Sequence, residues 1–395
     1  MKKINTNIKN NRKLIYLSLL DSNNKTLDNG KIKLYNKILH NFSSNDYLGL
    51  SKDKDLINES ILWTKKFGTS LSSSRLVSGT LDKIKDIEKR ISKYKKKENT
   101  LILGSGFQCN ATVIPVLIDN TIGKRNKAVL FSDRLNHSSI NYGCVVSRQL
   151  IKRYNHLDYN HLESLIKKNK HISRKIIISE TIFSMDGDKA DINILRFLSK
   201  KYGCLLYFDE AHATGVFGVH GYGLTPNSEF LESDHEVVVG TFSKAFGSYG
   251  SYVSSSDYII KKIINSCAGL IYSTALPPSN LGSINAAVKK IPNLKKERTE
   301  LIENSNFLNS QIKKIGLKTT NTCSHIIPII FSKESECQKT SQELRRFGFF
   351  VSSIFPPTVP KGSSRLRISL TKFIKKKEIL NFLNFFNQSK YEKKN

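Results

Sequence analysis

The feature that most constrains the fold is a regular alternation of short apolar segments with stretches long enough for a helix. Five apolar segments from residue 129 onward have the length and composition of buried strands: 129–132, 175–179, 205–208, 237–240 and 251–253. Helical periodicity occupies the stretches 80–96, 158–169, 191–202 and 278–290. Because parallel strands need helical crossovers that cover both faces of the sheet, this alternation predicts an α/β fold with a mainly parallel sheet.

The alternation changes near residue 290, and this change divides the chain. Residues 1–50 are interpreted as an N-terminal arm with a turn at Asp28-Asn29-Gly30, and residues 51–290 as a large domain. Residues 291–395 predict a smaller C-terminal α+β domain. Its expected elements are a helix at 294–315, a strand at 326–331, a helix at 335–347, a strand at 365–370 and a helix at 376–388.

The chain is strongly basic, since 63 Lys and Arg against 33 Asp and Glu give a net charge of +30. The basic residues are spread along the whole chain and are not interleaved with aromatic residues that would stack on bases. This pattern favours a solvated basic surface over a nucleic-acid groove. The positive charge is also suited to attracting an acidic substrate, such as a CoA thioester or an acyl carrier protein.

The six cysteines form no CxxC pair and none lies at metal-ligand spacing from a histidine. We therefore expect no disulfide, no metal site and a reducing compartment. The basic stretch at residues 1–13 is followed by an apolar run that is too short for a signal peptide, and no apolar stretch is long enough to span a bilayer. These observations predict a cytoplasmic protein without membrane contact.

Two motifs at predicted strand ends indicate a reactive site. Lys244 lies in TFSKAFG, directly after the apolar segment 237–240, and a lysine amine at this position can form a Schiff base with an aldehyde cofactor. Asp209 ends the apolar segment 205–208, with His212 three residues later. A carboxylate there can pair with a protonated ring nitrogen of a cofactor. The alternatives are an ordinary lysine at a strand end and an aspartate that caps a helix.

Further polar residues follow other predicted strands. Gly104-Ser105-Gly106-Phe107 precedes a helical stretch whose first N–H groups can bind phosphate, and the Gly-x-Gly-x-x-Gly dinucleotide pattern is not completed because its last position is Cys109. His137 in DRLNH follows segment 129–132, and Glu180 and Ser184 follow segment 175–179. Because the carboxyl ends of parallel strands meet at one edge, we expect these side chains to converge with Asp209 and Lys244.

A last motif lies in the predicted small domain. Arg365 and Arg367 alternate with Leu366 and Ile368, so both arginines occupy one face of a strand. An arginine in this arrangement can bind a carboxylate through two parallel hydrogen bonds. An ordinary surface arginine is the alternative.

Together the motifs resemble the α-oxoamine synthases, which are pyridoxal-phosphate (PLP) enzymes of fold type I. The matching stretches run from about residue 41 to residue 371: NFSSNDYLGL, RLVSG, Gly104–Phe107, DRLNH, ETIFSMDGD, DEAHATGVFG, TFSKAFG, IYSTALPP and PPTVPKGSSRLR. The resemblance implies the aspartate-aminotransferase-like fold, with a large PLP-binding domain and a small C-terminal domain. It also implies a homodimer that uses PLP.

The resemblance assigns cofactor roles by position. Lys244 matches the lysine that carries PLP and moves protons, and Asp209 matches the partner of its ring nitrogen. His137 matches the histidine that stacks on the ring, and His212 the contact to the phenolic oxygen. The remaining positions match other cofactor contacts, the last two of them reaching the phosphate in the partner subunit: Gly106, Phe107, Ser184, Thr241, Ser273 and Thr274.

On the substrate side, Arg367 matches the residue that binds the amino acid carboxylate, and Asn45, Glu180 and Thr358 match positions beside the substrate, as does His137. With Lys244, His137 and Asp209, Glu180 completes the residues expected to be catalytic. NFSSNDYLGL and PPTVP-x-G-x-x-RLR are most similar to members that condense L-alanine with pimeloyl-CoA or pimeloyl-[acyl-carrier protein] in biotin synthesis.

Two other functions remain open at this point. One is a sister activity with glycine, as in glycine C-acetyltransferases and 5-aminolevulinate synthases. The other is an inactive, basic protein that binds nucleic acid, against which Lys244, Asp209 and His137 argue. Two departures concern acyl recognition: residues 16–20 lack the arginine that family members often carry in the arm, and residues 69–74 replace a glycine-rich run.

Overall fold

The computed structural model describes residues 14–118, 128–227 and 235–392, so the basic stretch at residues 1–13 lies outside the described residues. The strands in these ranges are β1 Lys31–Leu34, β2 Lys37–Asn41, β3 Asn99–Leu103, β4 Ala128–Asp133, β5 Leu150–Tyr154, β6 Arg174–Glu180, β7 Leu205–Asp209, β8 Glu236–Thr241, β9 Ser251–Ser255, β10 Ile326–Phe331, β11 Phe349–Phe350, β12 Ser352–Ile354 and β13 Ser364–Ser369.

The α-helices in the same ranges are α1 Lys54–Phe67, α2 Asp82–Lys95, α3 Gly106–Val116, α4 Ser138–Val146, α5 Tyr159–Lys168, α6 Ile192–Tyr202, α7 Asp257–Ser266, α8 Ala268–Ile271, α9 Pro278–Lys290, α10 Lys295–Lys314, α11 Glu334–Arg346 and α12 Lys376–Glu392. Several begin at a side chain that accepts a hydrogen bond from the first turn, as Ser105 does for α3 and Asp191 for α6. Gly203 ends α6 in the left-handed conformation. Every helix of the described residues is too short or too polar to cross a lipid bilayer.

The central sheet has seven strands in the order β3-β9-β8-β7-β6-β4-β5. The five strands from β8 to β5 are parallel, and β9 pairs antiparallel with both β8 and β3. The predicted mainly parallel sheet is therefore confirmed. The predicted strand segments all lie within β4, β6, β7, β8 and β9, whereas β3 and β5 were not predicted.

Helices cover both faces of this sheet because its strands are apolar on both sides. Ile176 and Ile178 of β6 face a core formed with α3, α4, α7 and α8. Ile177, between them, faces the opposite core with α5 and α6. Side chains of a strand alternate between faces, so a continuous apolar run buries both.

The C-terminal region forms two smaller sheets. Strands β12, β13 and β10 make an antiparallel sheet, and β1, β2 and β11 make a mixed sheet in which β11 is parallel to β2. In the latter, His40 of β2 is paired with Phe349 of β11. Strands from the segment interpreted as an N-terminal arm thus pair with the C-terminal region. The division into 1–50, 51–290 and 291–395 remains a prediction.

Candidate active site

A cavity of about 670 Å³ lies at the carboxyl ends of the parallel strands. Its walls include residues that follow four adjacent strands: His137 after β4, Glu180 of β6, Asp209 of β7 and Lys244 after β8. Glu180 and Asp209 are register partners on neighbouring strands. The sequence prediction that these side chains converge therefore agrees with their placement. Their roles remain predictions.

Lys244 contacts His212 across the cavity, with 2.8 Å between the lysine Nζ and the histidine Nε2. The other ring nitrogen of His212 lies 2.6 Å from the hydroxyl of Tyr47, which is fully buried. Burial lowers the pKa of Lys244 to about 8, although the charges of Asp209 and Glu180 act to raise it. A substantial fraction of this amine is thus neutral near physiological pH and can accept a proton.

Asp209 is buried and its carboxylate accepts two hydrogen bonds. The Ala211 N–H donates to Oδ1 at 2.8 Å, and the Asn110 side-chain amide donates to Oδ2 at 2.7 Å. The two donors fix the orientation of the carboxylate. An anion at this point of the cavity can hold a protonated ring nitrogen.

Glu180 fixes the backbone at two strand ends. Its carboxylate accepts hydrogen bonds from the N–H of His137 at 2.6 Å and from the N–H of Ser184 at 3.3 Å. Burial, with the nearby charge of Asp209, raises the pKa of Glu180 well above its usual range. The side chain is therefore suited to hold or transfer a proton near neutral pH.

The start of α3 and the loop that follows β8 also line the cavity. Ser105 caps α3 by accepting a hydrogen bond from the Gln108 N–H, and the N–H groups of Gly106 and Phe107 belong to the helical turn that has no intrahelical acceptors. Thr241 lies 3.8 Å from the position that a Cβ of Gly106 would occupy. Exposed N–H groups at a helix start beside a threonine hydroxyl are suited to bind a phosphate.

Gly247 brings the loop of Lys244 against the chain near residue 50. Its φ is 62°, and an added Cβ would lie 2.4 Å from backbone atoms of Leu50 and Ser51. A residue with a side chain would have to displace this backbone. The glycine thereby allows the loop of Lys244 to pack closely against this segment.

Arg367 of β13 is buried next to the cavity. Its Nε donates to the Ser184 carbonyl at 2.6 Å, and its Nη1 donates to Ser369 Oγ at 2.7 Å and to Asn45 Oδ1 at 3.3 Å. These contacts hold the guanidinium group in one orientation. A second cavity of about 1260 Å³ adjoins the first at His137 and is lined by Ser184 and Thr358. Of the predicted substrate positions, Asn45 contacts Arg367, and His137 and Thr358 line this second cavity.

Two predicted cofactor residues lie elsewhere in this chain. Ser273 and Thr274 line a separate cavity beside Arg75, and Thr274 bridges to Ser74. Their predicted role concerns the partner subunit and remains a prediction. Ser184 lines the second cavity and not the one at Lys244, and its predicted cofactor contact remains a prediction.

Some residues of the site were not predicted. His325 is fully buried and lies with its ring centroid 3.8 Å from that of Tyr47. Burial lowers the pKa of His325 to about 3, and both of its ring nitrogens have no hydrogen-bond partner among the described residues. Tyr47 belongs to NFSSNDYLGL, but that motif does not indicate which polar group the tyrosine would meet.

Comparisons with known proteins agree with this fold. The model of the aminotransferase class I and II family matches residues 37–385. The Sphingomonas wittichii serine palmitoyltransferase superposes with a TM-score of 0.85 at 26% identity, covering 92% of this chain and 90% of that one. The crystal structure of 8-amino-7-oxononanoate synthase from Francisella tularensis superposes with a TM-score of 0.75 at 24% identity. It covers 90% of this chain and 98% of that one, and this likeness supports the fold.

The fold and the lysine site define a PLP-dependent transferase of fold type I. An 8-amino-7-oxononanoate synthase from Gluconacetobacter diazotrophicus is 39% identical over 335 residues, which are 84% of this chain and 83% of that protein. The chain belongs to the aminotransferase class I and II family and, within it, to the α-oxoamine synthases.

Proposed function

We propose that this protein is a PLP-dependent C-acyltransferase that condenses L-alanine with a pimeloyl thioester, the reaction of 8-amino-7-oxononanoate synthases in biotin synthesis. The observation that carries the proposal is the arrangement of Lys244 and Asp209 in one cavity, with Arg367 near enough for its charge to act on Lys244. It combines an amine that can exchange protons, an anion for a ring nitrogen and a cation for the carboxylate of an amino acid. The relatives' names support the choice of substrates.

The residues of the cavity fit PLP on structural grounds. The cavity is lined by the Asp209 carboxylate, by the rings of His137 and His212 and by the first turn of α3. Asp209 would hold the ring nitrogen, His137 would lie against the ring, and the start of α3 with Thr241 would hold the phosphate. When bound, PLP supplies an electron sink that stabilises negative charge at the substrate Cα.

The protein's own groups perform the remaining tasks. Arg367 orients the amino acid through its carboxylate, since its Nε and Nη1 are already fixed by Ser184, Ser369 and Asn45. Lys244, with a pKa of about 8, removes the proton from Cα and later returns one. The large second cavity at His137 admits the acyl donor, whose thiol leaves when the carbon–carbon bond forms. The product of this condensation then loses CO2.

We further propose that the protein works as a cytoplasmic homodimer, with Ser273 and Thr274 at the partner subunit's cofactor. The donor thiol is CoA or an acyl carrier protein. No role for nucleic acid or for a metal is proposed.

The test is a thiol-release assay with paired substrates. L-Alanine and glycine are each combined with pimeloyl, succinyl and acetyl donors, on CoA and on acyl carrier protein. We expect turnover with alanine and a pimeloyl donor, and loss of the bound-cofactor absorbance and of turnover in Lys244→Ala. Faster turnover with glycine and a short donor would instead identify a sister enzyme. Purified protein that takes up no PLP would refute the whole proposal.

A further inference from the structure

Asn110 of α3 lies at the centre of a group of buried polar side chains. Its Oδ1 accepts a hydrogen bond from the Tyr207 hydroxyl at 2.6 Å. Its Nδ2 donates to Asp209 Oδ2 at 2.7 Å and to Ser139 Oγ at 2.9 Å. The side chains of Asn110 and Ser139 are almost completely buried, and Tyr207 is fully buried. The amide thus meets three side chains from two elements, β7 and α4.

The chemistry of these partners fixes the orientation of the amide. An ionised carboxylate accepts hydrogen bonds and donates none, so the atom facing Asp209 must be the NH2 group. The amide oxygen then faces Tyr207, whose hydroxyl can donate. A reversed amide would place its oxygen against the carboxylate in a buried environment. Asn110 therefore acts as a donor toward Asp209.

The second amide hydrogen of Asn110 connects it to His137 through Ser139. Because Ser139 Oγ accepts from Asn110, its own hydrogen is free for His137 Nδ1, which lies 2.7 Å away. The Ser139 N–H also donates to Nδ1, at 3.3 Å. With Nδ1 accepting, the imidazole is neutral and carries its hydrogen on Nε2. Burial lowers the pKa of His137, in agreement with a neutral ring.

Helices α3 and α4 also approach each other closely at Asn110. An added Cβ at Gly143 of α4 would lie 2.4 Å from the Asn110 carbonyl oxygen. Glycine therefore lets α4, which carries Ser139, approach α3 closely enough for the Asn110 to Ser139 contact. The distance between the helices is set by backbone atoms and does not depend on the Asn110 side chain.

We propose that Asn110 is a positioning residue that orients two groups at once. One of its amide hydrogens holds the Asp209 carboxylate, and the other holds the His137 ring through Ser139. The inference rests on the proposed function, since Asp209 and His137 act there on opposite sides of one planar cofactor. Asn110 thus links the group that holds the ring nitrogen to the group that lies against the ring. Tyr207 holds the amide in the orientation that both contacts need.

The experiment separates the two contacts by substitution. Asn110→Ala removes the hydrogen bonds of the amide to Asp209 and to Ser139. Ser139→Ala removes only the hydroxyl that lies between Asn110 and His137, and Tyr207→Phe removes only the hydroxyl that holds the amide. Because Asn110→Ala leaves the Tyr207 hydroxyl buried without its acceptor, the double variant Asn110→Ala/Tyr207→Phe removes this defect as well. Thermal unfolding identifies which variants are folded.

Each protein is measured in three ways. The dissociation constant of PLP is obtained by titrating the cofactor into apoprotein, and the absorption spectrum of the loaded protein is recorded. Exchange of the alanine Cα proton in D2O, without acyl donor, is followed by NMR.

For Asn110→Ala and for the double variant, we expect a PLP dissociation constant raised about 10- to 100-fold, with an altered spectrum, because a hydrogen bond to a charged group is lost. The double variant should regain thermal stability but not affinity. Ser139→Ala should change the dissociation constant less than about threefold while slowing proton exchange. The PLP dissociation constant of Tyr207→Phe should lie between those of Ser139→Ala and Asn110→Ala.

Wild-type affinity and spectrum in a folded double variant would overturn the inference while leaving the proposed function intact. An affinity loss in Ser139→Ala equal to that in Asn110→Ala would also overturn it, because the contact to Asp209 would then carry no separate effect. Absence of PLP uptake by the wild-type protein would refute the inference together with the proposed function.

Discussion

His156 forms an ionic bridge between two segments that lead into the site. Its Nδ1 lies 3.0 Å from Asp133 Oδ1, and its Nε2 lies 2.8 Å from Asp188 Oδ2. Asp133 ends β4 shortly before His137, and Asp188 follows Ser184 in the next loop. Burial alone would lower the pKa of His156, but the hydrogen bonds to both carboxylates outweigh it and raise the pKa to about 10. The ring is therefore an imidazolium at neutral pH.

The magnitude follows from the difference between the ordinary pKa of 6.5 and the raised pKa of about 10. At about 1.4 kcal/mol per pH unit, this difference sets an upper bound of about 5 kcal/mol on the stability that protonation contributes. Since the pKa is raised in the folded protein, the contribution is complete below about pH 6.5. It is lost progressively as the pH rises through about 10.

His156→Gln tests this reasoning, because glutamine has similar reach and no charge. At pH 6 we expect the variant to unfold in urea with a free energy about 3 kcal/mol below that of the wild type, since two carboxylates lose their shared cation. The difference should shrink steadily between pH 6.5 and pH 10. His171→Gln, at an exposed histidine, is the control and should leave the pH dependence unchanged. A difference between wild type and His156→Gln that does not vary with pH would refute the assignment of an imidazolium.

Three further predictions concern other parts of the site. Gly187→Ala should destabilise the fold by about 2–3 kcal/mol in urea unfolding, because φ is 72° and the new Cβ would lie 2.0 Å from the Ile326 carbonyl oxygen. Gly362→Ala is the control: its φ is 74°, but the new Cβ would meet open space, so the loss of stability should be smaller. Equal losses in the two variants would contradict the steric argument. Arg367→Lys should raise the KM for alanine about 10- to 100-fold because lysine lacks the planar fork, and an unchanged KM would exclude the carboxylate contact. The rate at which apoprotein recombines with PLP should rise with pH around a midpoint near 8, the pKa of Lys244; a midpoint near 10.5 would contradict a buried amine.

The sequence predicts the sheet and the convergence of its strand ends well, because both depend on local patterns. Runs such as Ile176–Ile178 are apolar at every position, which is typical of parallel strands buried on both faces. Polar residues that directly follow such runs, among them Asp209 and Lys244, must then lie at one edge. No long-range information is needed for this step.

Contacts between distant side chains could not be predicted in the same way. Asn110 meets Asp209 and Tyr207 only after α3 has packed against the sheet, and a single asparagine in a helix has no pattern that predicts its partners. Tyr47 and His212 are separated by 165 residues before they form a hydrogen bond. Strand β5 was missed because it lies at the edge of the sheet and two of its five residues, Lys152 and Arg153, are charged, so its apolar signal is weak.

The pairing of β2 with β11 has a consequence for synthesis on the ribosome. Roughly 300 residues separate His40 from its partner Phe349, and at about 5–20 residues per second they take about 15–60 s to emerge. During that time the β1–β2 hairpin has no third strand, and an isolated two-stranded hairpin is marginally stable. The large sheet can form in the meantime, since all of its strands lie before residue 256. One of the first parts of the protein to be made is thus completed only near the end of synthesis.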